Sequence, residues 1–213
     1  MNYLDVDKAR HVAARILEEG FFPTFAYLLL PNNHTFGAKE GKPTPASMVA
    51  DNDEATGIVV EAVTQSPFWK STVIFIVEDD PQQGGDHIDA HRSICLVVSP
   101  WAKHGYTSHV HHDLSSLWAT IGHIIGMEPL SLYDATAAPM YDAFGDVAVG
   151  EGFTHIARNV PEAVNLPGAV GAEKSAAMDF SKPDQEVGLA RLLWKIIKGH
   201  DPPWPSRPAW PEE

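Results

Sequence analysis

Phe25-Ala26-Tyr27-Leu28-Leu29-Leu30, closed by Pro31-Asn32-Asn33, is the stretch whose reading decides the fold. An unbroken apolar run of this length ended by turn residues has the profile of a strand buried on both faces. Two further runs look alike: Val73 to Val77, and Ile94 to Ser99 ended by Pro100. Between and around them lie helical patterns. Val6, Ala9, Val12, Ala13, Ile16 and Leu17 recur at helical spacing over about Val6 to Glu19, with Asp5 as a cap and Gly20 as a stop. Pro45 opens a second helix through Val49, Ile58, Val59, Ala62 and Val63, which Ser66-Pro67 closes. A third helix spans Leu114 to Ile125. Helix and strand alternate with no tight hairpin between the strong strands, so the expected fold is α/β, a mostly parallel sheet flanked by helices. In such a sheet ligands sit beyond the carboxyl ends of the strands.

The rest of the chain is less regular. Asp146 to Lys182 is rich in Gly, Ala, Pro and Asn and reads as an irregular excursion. An amphipathic helix follows over Asp184 to Lys198, then a Pro/Trp-rich tail over Asp201 to Glu213 that carries Trp204 and Trp210. No internal repeat is present, and residues 1–213 read as one domain. With 15 Lys+Arg against 28 Asp+Glu the net charge is −13, the wrong sign for a nucleic-acid surface. The single cysteine, Cys95, excludes a disulfide framework and a cysteine zinc site. No run approaches the roughly 20 apolar residues of a membrane span. Met1-Asn2-Tyr3-Leu4-Asp5 is not a signal peptide, which points to the cytoplasm if the chain is complete.

Chemistry-bearing residues gather after two strands. The first run leads into Asn32-Asn33-His34-Thr35, and Val73 to Val77 leads into Glu78-Asp79-Asp80. Shortly after comes Asp86-His87-Ile88-Asp89-Ala90-His91-Arg92. Imidazole and carboxylate together are common ligands of zinc, manganese or iron. If extended, this alternation puts residues 87, 89 and 91 on one face. Taken alone, Asn32-Asn33-His34 would equally serve as a turn, and Glu78-Asp79-Asp80 as a solvated loop. Arg92 would touch an anionic substrate or pair with Asp86 or Asp89. Asp51 and Asp53 lie within the second helix, where carboxylates are ordinarily solvated. His109, His111 and His112 resemble a metal motif in composition, but Asp113 beside them reads better as a helix cap. There is no G-x-S-x-G elbow, no phosphate-cradling G-x-x-x-x-G-K loop and no H-E-x-x-H.

Taken together, Asp51-Asn52-Asp53-Glu54-Ala55-Thr56-Gly57, Val77-Glu78-Asp79-Asp80, Asp86 to Ser93, Tyr133-Asp134-Ala135 and Pro139-Met140 resemble the bacterial phosphoesterase family. That family includes phospholipase C-like and acid phosphatase-like enzymes of the alkaline phosphatase superfamily. Met178-Asp179-Phe180 and Trp194 to Gly199 are similar to its closing helix. The resemblance implies a shortened alkaline phosphatase-like core with metal ions at the strand ends, hydrolysing phosphate esters. Asp79-Asp80 match one metal position, and His34 with His87 or His91 match the second. Relatives commonly have Asn-Asp-His-Thr where this chain has Asn32-Asn33-His34-Thr35, so Asn33 replaces a carboxylate with a neutral oxygen. The family's amino-terminal strand and helix, with an aspartate ligand and a Thr or Ser nucleophile, have no counterpart here. The chain is then either a fragment of a longer enzyme or a shortened protein that uses its metal differently.

The resulting expectation is a metal-dependent phosphoric ester hydrolase in which metal-bound hydroxide attacks phosphorus without a Ser or Thr nucleophile. Its expected ligands are Asp79, Asp80, His87 and His91, then His34 and Asp89; Asp79, Asp80, His91 and His34 carry the catalysis. Asn33 and Arg92 are the expected substrate contacts. Zinc is favoured, with manganese or calcium open. A di- or triester suits a carboxylate-rich site better than a dianionic monoester. Thr35 is the hydroxyl nearest a candidate ligand. The alternative is a non-catalytic phosphoesterase-like module for metal binding or assembly, and a sulfatase-like ester hydrolase is a third option. A homo-oligomer, most simply a dimer, would cover the sheet.

Overall fold

Thr44 and Pro45 show how the sequence writes its longest helix. In the computed structural model, which describes residues 4–79, 92–150, 152–180 and 188–203, the Thr44 hydroxyl accepts from the Ser47 amide at 3.3 Å. Pro45 then starts helix α2, Pro45–Thr64, at a position where its missing N–H has no partner to lose. Helix α1, Asp5–Leu17, lies against α2. Val6, Ala9 and Ala55 form one buried cluster, flanked by Leu4, Leu30, Ile58 and Val59. Ile16, Ala62 and Val63 form another, closed by Phe22, Phe68, Trp69 and Ile74. Fully burying a side chain such as Val6 contributes about 1.5–3 kcal/mol. The small Ala9 and Ala55, both 0% exposed, let the two helix backbones approach.

The sheet differs from the expectation. Among the described residues, strand β1, Ile74–Val77, pairs only with β2, Cys95–Val98, and the pair is antiparallel, with Ile74 opposite Val98 and Val77 opposite Cys95. Helical residues make up 42% of the described chain, so a mostly parallel, helix-flanked sheet with an alkaline phosphatase-like core is overturned. The lack of a tight hairpin did not imply parallel pairing, because two strands well separated in sequence can pair in either direction. Phe25 to Leu30, the run that suggested the first strand, forms no strand. Tyr27 is 78% and Leu29 58% exposed, while Leu30 packs on the α1/α2 cluster and Phe25 lies 5.9 Å from the Trp118 ring. An apolar run records a preference for burial; it does not specify a pairing partner.

Helix α3, Leu114–Ile125, has the capping box expected of Asp113, whose carboxylate accepts from the Ser116 amide at 2.8 Å. It ends on Gly126, whose φ of 70° is the left-handed conformation that a helix C-terminus uses. Three shorter helices follow: α4, Leu132–Thr136, α5, Ala172–Ala177, and α6, Leu189–Lys198. Helix α5 thus interrupts the stretch read as irregular. The middle of that stretch is pinned at Asn165. Asn165 donates through Nδ2 toward the carbonyls of Gly37, Lys39 and Pro43, and its backbone exchanges hydrogen bonds with Gly41 and Lys42. No described helix is long and apolar enough to cross a membrane. Trp204 and Trp210 of the tail, and Asp184, lie outside the described residues.

Candidate functional site

Two consecutive asparagines join the helical layer to the sheet. Asn32, Asn33 and His34 form one 3-10 turn. The Asn32 amide N–H donates to Asp5 Oδ2 at 2.8 Å and its side chain to Asp51 Oδ2 at 2.6 Å. Both carboxylates are buried, at 0% and 1% exposed. They are further satisfied by the Asp5 amide on Asp51 (2.7 Å), Asn52 Nδ2 on Asp5 (3.1 Å) and the Lys8 ammonium on Asp5 (2.9 Å). Asp51 is therefore a structural anchor, not a solvated helix carboxylate. The sequence does carry its signal: Asp51 sits one helical turn before the fully buried Ala55 and shares its face. Asp5 stands in the first turn of α1 behind Leu4, the capping position, and receives bonds from elsewhere in the chain.

Asn33 faces the other way. Its Nδ2 donates to both carboxylate oxygens of Glu78, at 2.8 and 2.7 Å. Glu78 follows β1 directly, and its amide extends the ladder to the Ile94 carbonyl at 3.1 Å. Ser93 Oγ donates to the Glu78 carbonyl at 2.7 Å. Partial burial of the Glu78 carboxyl, together with the adjacent Asp79 charge, pushes its pKa up against the lowering effect of Asn33. Two of the clusters picked out in the sequence, Asn32-Asn33-His34 and Glu78-Asp79, are thus in contact. His34 and Asp79 are both exposed there, as is Arg92. The His34 ring stands edge-on to Phe180 at 6.3 Å, so the Met178-Asp179-Phe180 segment also reaches this corner.

Asp80, His87, Asp89 and His91 lie outside the described residues. Among the described residues, no group of three or more His, Cys, Asp or Glu is arranged to hold a metal ion. The described donors, an imidazole and two carboxylates, are of the right chemical kind for zinc or manganese. They do not make a metal centre by themselves, and one would have to be completed from residues 80–91. Thr35 is 2% exposed and its Oγ1 accepts from the Gly37 amide at 3.2 Å. A buried hydroxyl held in this way is poorly placed to attack a substrate.

A second polar cluster joins His112, noted in the sequence, to Asp142, Ser108 and Tyr106, which were not. Asp142 accepts from Ser108 Oγ at 2.5 Å, from His112 Nε2 at 2.8 Å and from Tyr106 OH at 3.1 Å. These donors, Ser108 foremost, hold its pKa down at about 2. Tyr106 responds in the opposite sense, its phenol pushed up by the bond to the Asp142 carboxylate. Of the three histidines ahead of α3, His112 ties its loop to Asp142, whereas His109 and His111 are exposed. Elsewhere the Arg158 guanidinium bridges Glu54 (3.1 Å) and Glu162 and lies 3.8 Å from Asp51. His155 pairs with Glu61 and lowers that carboxyl's pKa.

A scan of the chain against family models, a search of curated proteins and a search of solved structures each returned no match.

Proposed function

We propose that the chain is a metal-dependent hydrolase of phosphate esters, with di- or triesters favoured. The observation that carries this reading is the Asn33–Glu78 bridge, which ties the Asn32-Asn33-His34 turn to the strand end that leads into Asp79 and Asp80. The motif resemblance to bacterial phosphoesterases supports it through residues 78–93, independently of the sheet. Asp79, Asp80, His87, His91, His34 and Asp89 are the proposed ligands, and Arg92 the group that meets the substrate anion. A divalent cation held there, zinc by preference, would supply an acidified water and offset charge on the phosphoryl oxygens. The chain's own part is orientation. Glu78, its pKa raised by partial burial and the Asp79 charge, stands next to the proposed ligand Asp79. Burial of Thr35 favours attack by water over a phosphoenzyme. Assays on mono-, di- and triesters, with and without chelator, test the reading. Turnover abolished by chelator and restored by zinc is the expected result, and inactivity toward all three classes with metal bound would overturn it.

A second reading, a non-catalytic assembly module, is favoured by a specific observation. Tyr27, Leu29, Ile94 and Leu96 are 78%, 58%, 63% and 52% exposed. Exposed large apolar side chains of this kind are what association covers. Self-association into a two-fold dimer is compatible with either reading.

A further inference from the structure

Thr35 has a φ of 64° and a ψ of 177°, and it is the one non-glycine residue with positive φ among those described. For a β-branched residue this is a strained backbone, and it persists only where the surroundings over-determine it. They do so here. The Thr35 amide donates to the Asn32 carbonyl at 3.1 Å. Its hydroxyl accepts the Gly37 amide. Two distant segments clamp the next turn: Ser175 Oγ accepts the Ala38 amide at 2.8 Å, and Asn165 Nδ2 donates to the Gly37 carbonyl at 3.1 Å. The product of this strain is specific, because the Thr35 carbonyl lies 3.2 Å from His34 Nδ1. A carbonyl oxygen has no proton to give, so Nδ1 must carry one, and in neutral imidazole the electron pair then resides on Nε2.

We infer that Thr35 is a positioning residue: its strained backbone turns its own carbonyl onto His34 and fixes the Nδ1–H tautomer, so that Nε2 is the nitrogen offered as an electron-pair donor at the strand end. A histidine ligand or base is ordinarily oriented by a hydrogen bond to its other nitrogen. Here the partner is the next residue in the chain, and the hydrogen bonds around Thr35 hold it in place against the strain. The inference rests on the reading of His34 as a site residue, but its direct readout does not depend on turnover.

The test is long-range 1H–15N NMR of the imidazoles in the full chain, at a pH where His34 is neutral. The expected result is a protonated, pyrrole-type Nδ1 and a pyridine-type Nε2 at His34. Thr35→Gly loses the hydroxyl that accepts the Gly37 amide and gains backbone freedom, so its carbonyl is released and His34 should shift toward the Nε2–H form that free imidazole prefers. Thr35→Ser, which keeps a side chain and the hydroxyl, should retain the wild-type tautomer. An Nε2–H tautomer in the wild type would overturn the inference, as would an unchanged tautomer in folded Thr35→Gly. If Thr35→Gly does not fold, the wild-type and Thr35→Ser spectra still decide it. Zinc added to the same samples should move the Nε2 resonance; an unaffected Nε2 with the tautomer intact would count against the metal reading and leave the inference standing.

Discussion

Gly37→Ala and Ser175→Ala, made singly and together, probe the clamp that holds the His34 turn. Gly37 has a φ of +56°, and a methyl added there would meet Ser175 Oγ at 2.5 Å. Left-handed backbone costs a non-glycine residue about 1–2 kcal/mol. Ser175 is 0% exposed and has no room to retreat, so overpacking adds about 1–3 kcal/mol. Gly37→Ala should therefore destabilise by about 2–5 kcal/mol. Ser175→Ala leaves the amide of Ala38, a residue only 1% exposed, without its acceptor, at about 1–3 kcal/mol. The same substitution removes the atom that the new methyl strikes. The double variant should then be more stable than the sum of the singles predicts, by about 1 kcal/mol or more. Urea unfolding with a common m-value gives all three numbers. Additivity within about 0.5 kcal/mol, or a Gly37→Ala loss below about 1 kcal/mol, would refute the packing argument.

Three other outcomes follow from the structure. Asp142, its folded pKa lowered from 3.8 to about 2, stabilises the fold at pH values above its unfolded pKa, and that contribution fades as pH falls through the range between the two. With the side chain 22% exposed, this amounts to no more than about 2 kcal/mol; Asp142→Asn should lower the urea midpoint at pH 7 and converge with wild type near pH 2, and a gap that does not narrow would contradict the assignment. Asn33→Ala removes the two bonds that lower the Glu78 pKa, so the Glu78 carboxyl 13C titration should move to higher pH, and an unmoved midpoint would show that the bridge is not made in solution. Light scattering at micromolar concentration should show a dimer, and a particle of monomer mass alone would exclude self-association through the exposed apolar segments.

Local signals carried much of this architecture. Pro45 and Asp113 mark helix starts by chemistry that acts within one turn, and both helices begin there. Val73 to Val77 and Ile94 to Ser99 also contain the two strands. What failed was the pairing of the strands. Phe25 to Leu30 is apolar enough for a strand, but nothing within it specifies a neighbour. The direction in which β2 pairs with β1 is not encoded by the periodicity of either run. The candidate site follows the same division. Residue types marked Asn33, His34, Glu78 and Asp79, and a strand end brought them together. The roles of Asp142 and the Thr35 carbonyl arise from contacts between distant segments or from a backbone angle, neither of which is written in residue type, whereas Asp51 was legible only from its spacing to Ala55.

The most direct test of a metal-dependent site at this strand end is the metal content of the purified full chain, measured by elemental analysis beside Asp80→Ala and His91→Ala. The account predicts a divalent metal, zinc by preference, bound stoichiometrically in the wild type and sharply reduced in both variants. Full stoichiometry retained in both, or no metal taken up by the wild type from a zinc-supplemented buffer, would contradict it.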